Sequence, residues 1–167
     1  MGVGCYVCWS EERFETLPAR ERVGFDEHWR VVHAFNSRLL GWLVLAPRRH
    51  ITSIAELTDA EAASLGTWQV RLSRALAAVT GCVKTYVIQY AEKEGFAHVH
   101  FHVVPRLPDI PLDHRGPRVF AYLDTDPDDR IPAAQMDALA VELQSHLNQP
   151  TPSAGPGASS LTPAPPH

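Results

Sequence analysis

The chain has 167 residues, 45% of them hydrophobic and 20% charged, the composition of one folded domain, and this excludes a chain disordered throughout. Fifteen Lys and Arg stand against nineteen Asp and Glu, a formal charge of -4, which argues against a general nucleic-acid binder. No apolar run is long enough for a membrane span, and Met1-Gly2-Val3-Gly4-Cys5-Tyr6 shows no secretory signal, so a cytoplasmic location is expected.

In chain order, Trp29–Phe35 is rich in β-branched and aromatic residues and predicts a strand, followed by a turn at Asn36-Ser37-Arg38. Gly41–Ala46 predicts a second strand, stopped by Pro47. Thr58-Asp59-Ala60-Glu61 has the form of a capping box, a hydroxyl three residues before a carboxylate, and so starts a helix. Leu65, Trp68, Leu72 and Leu76 recur at the spacing of one helix face, and Gly81 ends the helix. Lys84–Tyr90 and His98–Val104 predict two more strands. A last helix runs from about Pro132 to Leu147, with Met136, Leu139, Leu143 and Leu147 as its buried stripe. Consecutive strands with short links imply an antiparallel sheet with helices packed on it, an α+β domain over residues 1–148. Residues 149–167, rich in Pro, Ala and Ser, have almost nothing to bury and predict a disordered tail.

Histidine is abundant, nine residues, and three of them alternate in His98-Val99-His100-Phe101-His102-Val103-Val104. A strand sends successive side chains to opposite faces, so the three imidazoles share one face, about 6.6–7 Å apart, while Val99, Phe101 and Val103 share the other. A core does not need three imidazoles in a row. Such a row suits either a transition metal or covalent phosphoryl or nucleotidyl transfer, in which a ring nitrogen attacks phosphorus and neighbouring rings hold the tautomer. The spacing leaves both open.

The alternation, followed by Pro105-Arg106, matches the His-apolar-His-apolar-His-apolar-apolar pattern of the histidine-triad superfamily of nucleotide hydrolases and transferases. Gly41–Ile51, with Pro47-Arg48-Arg49-His50, resembles that family's strand-Pro-basic-basic-His segment. The resemblance spans roughly residues 4 to 106. It implies an antiparallel sheet with flanking helices, a homodimer, and hydrolysis at the α-phosphate of diadenosine polyphosphates or other adenylylated compounds. By the same resemblance His100 is the nucleophile that forms a nucleotidyl-histidine intermediate, His102 contacts the phosphates and aids the leaving group, and His98 orients them. Gly95 offers a backbone N–H to the phosphate, and Asn36 is a candidate ribose or base contact whose bland alternative is an Asx turn. The sequence departs from the pattern at Trp42, where many members carry His, and at Glu92–Ala97, where many carry a Gly-Gln-Ser/Thr segment.

Cys5-Tyr6-Val7-Cys8 is a Cys-x-x-Cys pair, which in a reducing compartment is more often a metal knuckle than a disulfide. Two thiolates need two further ligands. Some bacterial triad proteins resemble this chain here, and the resemblance implies structural zinc on Cys5, Cys8, His50 and His98. Two other readings stay on the table: a hydrolase whose catalytic zinc sits on His100 and His102, and a nucleotide-binding protein without turnover. His33 reads as strand surface, and Trp29, Trp42 and Trp68 as core.

Overall fold

The computed structural model describes residues 4–149. All but the first residue of the expected tail, Gln149, therefore lies outside the described residues. Five strands form one antiparallel sheet in the order β1-β2-β3-β5-β4: β1 Gly24–Phe25, β2 Trp29–His33, β3 Leu43–Pro47, β4 Lys84–Gln89 and β5 Phe101–Arg106. Three α-helices accompany it: α1 Tyr6–Glu11, α2 Asp59–Thr80 and α3 Ala133–Leu147.

The period of the sequence decides what each face of the sheet meets. Trp29 and Val31 of β2, Leu43 and Leu45 of β3, and Phe101 and Val103 of β5 point to one side. There they pack on Trp68, Leu72 and Leu76 of α2 and on Leu139, Leu143 and Leu147 of α3. Full burial of such side chains contributes about 1.5–3 kcal/mol each, so this layer carries most of the folding energy. Helix α2 starts as its capping box requires: the Glu61 amide donates to Thr58 Oγ1 at 3.2 Å, and the Thr58 amide donates to Glu61 Oε2 at 2.8 Å. Gly81 closes it in the left-handed conformation, at φ 67°. Pro132 is the residue just before α3 rather than its first.

The opposite face carries Val32, Val44 and His102, which lie side by side through the pairs Val32↔Val44 and Val44↔His102. Its far end is covered by a smaller apolar cluster of Ala34, Leu39, Trp42, Val104, Ile110 and Val119. Gly24, where no element was expected, lies against α2 and α3: a Cβ there would come within 3.1 Å of Trp68 and Leu147. Among the described residues no helix is long and apolar enough to cross a membrane.

The triad strand is shifted along the chain: it starts three residues later than expected and runs two residues further, to Arg106. His98–Val104 was expected to be extended and paired throughout, but the β3–β5 ladder ends at Leu45↔Phe101 and β5 begins at Phe101. Beyond that point the chain is held by the loop after β3. The Val99 amide donates to the Ile51 carbonyl at 2.8 Å, and the His98 ring donates to the Pro47 carbonyl at 2.8 Å. β3 runs on through Ala46 and Pro47, but there it is paired with β2 alone, and residues 98–100 form no ladder with it.

Candidate active site and metal centre

The alternation of faces survives even though the ladder does not. Val99, Phe101 and Val103 are buried in the helix-side core, while His100 and His102 line a cavity of about 280 Å³ on the other side. Their ring centroids are 4.9 Å apart at 83°. His98 is turned away from this pair: it is fully buried, with its ring centroid 5.0 Å from that of His50.

Hydrogen-bond partners fix the tautomers. A carbonyl oxygen only accepts, so His100 Nδ1, 2.8 Å from the His98 carbonyl, carries the proton and Nε2 holds the lone pair. An indole N–H only donates, so His102 Nδ1, which accepts from Trp42 Nε1 at 3.0 Å, holds a lone pair and the proton is on Nε2. Burial holds both rings below the usual histidine range, His102 down to about 4 with the neighbouring His100 adding to the effect. Near neutral pH the pair is therefore one imidazole with a free nitrogen beside another with an N–H to donate.

Trp42 is core, as expected, but its role at His102 was not legible: nothing in the local pattern says which buried tryptophan donates to which ring. His33 departs from the expected strand surface. It is 3% exposed, its Nδ1–H donates to the Ala34 carbonyl at 2.9 Å, and its Nε2 accepts from the Gly41 amide at 2.9 Å. The turn that follows β2 folds back over the ring and satisfies both nitrogens, and burial lowers its pKa to about 4.

Cys5 caps α1 and Cys8 lies within it, bringing both thiols against the loop after β3 and the start of the triad segment. Cys8 Sγ is 3.3 Å from His50 Nδ1 and 3.8 Å from His98 Nδ1, and Cys5 Sγ is 3.7 Å from His98 Nδ1. The four ligand atoms all lie within 4.8 Å of one another. Donor–donor edges of a tetrahedral S₂N₂ zinc site are about 3.3–3.8 Å, so this set fits such an ion with little movement. The His98 tautomer fits as well. Its Nε2–H goes to the Pro47 carbonyl, which leaves the Nδ1 lone pair facing the thiols. A short helix starts at the Cys-x-x-Cys pair, and the two histidines close over both thiols.

Of the remaining nucleotide-site candidates, Asn36 lines the cavity and Gly95 does not. The Asn36 amide donates to Asp124 Oδ1. Lys93, also lining, reaches the same carboxylate at 2.8 and 2.9 Å. Asp124 belongs to the segment after the triad and was not foreseen. Gly95 is exposed at φ 78°, and its carbonyl accepts from the Tyr6 amide at 3.2 Å. Arg48 and Arg49 of the basic pair are held in ion pairs: Arg48 to Glu11 at 2.6 Å, Arg49 to Glu61 at 2.8 and 3.1 Å. The sequence also missed the cavity walls. Tyr6 packs on Phe35 and Phe96 at 5.4 and 5.5 Å between centroids, and Arg30, 3% exposed, lines the cavity from β2.

A family model described as HIT domain matches residues 18–109. The fold is similar to a Zn-bound histidine triad family protein from Mycobacterium smegmatis (TM-score 0.64, 18% identity, 87% of this chain and 94% of that one). It is similar also to a hypothetical histidine triad nucleotide-binding protein from Sulfolobus tokodaii (TM-score 0.64, 16% identity, 86% and 91%). A third likeness is to a histidine triad protein from Bradyrhizobium japonicum (TM-score 0.62, 21% identity, 81% and 94%). No curated protein matches the chain.

Proposed function

The chain belongs to the histidine-triad (HIT) family, and from that premise we propose that it is a nucleotide hydrolase cleaving at the α-phosphate through a nucleotidyl intermediate on His100. One observation carries the reading: the His100 Nδ1–H is held by the His98 carbonyl, which leaves the Nε2 lone pair for phosphorus. In the first step Nε2 bonds to the α-phosphorus and the bond from phosphorus to the leaving group breaks. The new imidazolium keeps its Nδ1 proton on the same carbonyl. His102 donates its Nε2–H to a phosphate oxygen and stabilises the added negative charge. In the second step water adds to phosphorus and gives one proton to solvent, the P–N bond breaks, its electron pair returns to Nε2, and the nucleoside monophosphate departs. Histidine rather than glutamine at position 102 supports water as the acceptor, as the resemblance implies. Adenylylated compounds and dinucleoside polyphosphates are the substrate classes to test first, and a homodimer in the cytoplasm is part of the same reading.

Zinc on Cys5, Cys8, His50 and His98 is proposed as a structural ion. The donor set supports it, and the Mycobacterium smegmatis neighbour is itself Zn-bound. The ion supplies a cross-link between α1, the loop after β3 and the triad segment, and so fixes the His98 carbonyl that orients His100. The rival with metal on His100 and His102 has less support, because the Trp42 indole N–H occupies the His102 Nδ1 lone pair and leaves that ring's proton on Nε2, with no free nitrogen for an ion.

Labelled substrate quenched at neutral or alkaline pH is expected to leave a nucleotidyl label on His100, and an acid quench is expected to lose it, since phosphoramidates are acid-labile. Label on a hydroxyl or thiol would reject the assignment.

A further inference from the structure

Arg30 brings to the cavity wall a charge that a purely apolar base pocket would not need. Arg30 and Ala46 face each other across β2 and β3, one step along the sheet from Val32, Val44 and His102. The guanidinium is buried, yet its partners are few. Nη1 is 3.5 Å from Glu11 Oε2, Nη2 donates to Ser10 Oγ, and Nε has no partner. Glu11 also serves Arg48, so one carboxylate answers two guanidiniums. Among the other polar side chains, Glu92 and the phenols of Tyr6 and Tyr90 also line the cavity, and several of the rest are engaged. Both nitrogens of His33 are hydrogen-bonded, and Asn36 and Lys93 converge on Asp124. Other parts of the walls are aliphatic and aromatic, from Val32, Val44 and Tyr6. They suit the faces of a flat ring. Arg30 lies two strands across and two residues along from His102, a backbone separation of roughly 12 Å.

We propose that the cavity selects a 6-oxopurine, guanine or hypoxanthine, whose O6 and N7 acceptors meet the donor-only guanidinium of Arg30. This rests on the nucleotide reading above and replaces the adenine preference that the family resemblance implies. Arginine carries five N–H donors and no acceptor, and it pairs with the two acceptors on that edge of guanine. Adenine presents an amino group at position 6, so a donor faces a donor and a buried N–H of Arg30 stays unsatisfied. The glutamate that holds Arg30 sits on α1 beside the cysteine pair, so the zinc cross-link would also steady the base-reading group.

Titration calorimetry with GMP, IMP and AMP on the metal-replete wild-type protein tests this without turnover. GMP and IMP are expected to bind about 10- to 100-fold tighter than AMP. The 7-deaza analogue of GMP is expected to lose about 10-fold, and R30M, its fold checked by thermal melting, to bind all three within about 3-fold of one another. AMP binding as tightly as GMP, or a guanine preference that persists in R30M, overturns the base assignment and leaves the nucleotide reading standing. No binding of any of the three overturns both.

Discussion

His98 and His100 stand two residues apart and carry the same ring, yet they release opposite nitrogens. His98 gives its Nε2–H to the Pro47 carbonyl and turns Nδ1 to the thiols; His100 gives its Nδ1–H to the His98 carbonyl and turns Nε2 to the cavity. The difference is one of backbone supply. Where β3 ends, its last carbonyl is free to accept from one ring, and the unpaired carbonyl of His98 accepts from the next. Two chemistries therefore arise from one repeated residue because the ladder stops at Phe101. The residue that links them is His98 itself, side chain to the cluster and main chain to the nucleophile.

The sharpest way to break this comparison is to remove one ring at a time. H100N should lower turnover on the order of 10⁴-fold while leaving the melting temperature and the bound metal unchanged, read by single-turnover kinetics, calorimetry and metal analysis. Survival of appreciable turnover would mean that the two rings are not divided in this way. C8S should do the reverse. Bound zinc should fall below one per chain and Tm by roughly 10 °C, about 3 kcal/mol for a chain of this size, with some turnover left because the His98 carbonyl remains. Full stability without zinc would remove the cross-link from the account.

Acid probes the buried rings together. His33 has a folded-state pKa of about 4 against 6.5 unfolded, so below 6.5 the unfolded chain takes up a proton that the folded chain refuses. Its contribution is present above 6.5 and is lost as the pH falls from 6.5 to about 4, by about 3 kcal/mol. Urea midpoints at pH 7, 5.5 and 4.5 should fall in that order, and H33N should flatten the trend. An unchanged slope would place the proton uptake elsewhere. The smallest effect belongs to W42F, which leaves His102 Nδ1 without its donor. A loss of about 1–2 kcal/mol in stability is expected, with kcat about 10-fold lower and KM little changed. A KM effect alone would make Trp42 a wall of the cavity rather than the group that sets the tautomer.

Much of the scaffold was readable along the chain because local rules govern it. The Thr58–Glu61 box, Gly81, the stripes of α2 and α3, and the period-2 alternation through Val99, Phe101 and Val103 are all short-range signals, and each is present where it was expected. The N-terminal segment was harder. It has little periodicity of its own, and α1 takes its place through Cys5, Cys8 and Tyr6, whose partners are roughly 40 to 90 residues away.

The amino-acid order by itself determined which residues could do chemistry: the alternating imidazoles, the Cys-x-x-Cys pair, and His50 after its basic pair. It could not decide which nitrogen each imidazole exposes, that His33 would be buried, that Asp124 would hold Asn36 and Lys93, or that Arg30 near the start of β2 would end up buried at a cavity wall. Those outcomes depend on which carbonyl, amide or indole arrives opposite each group. That is set by where strands end and how loops cross over them, and only the assembled fold fixes it.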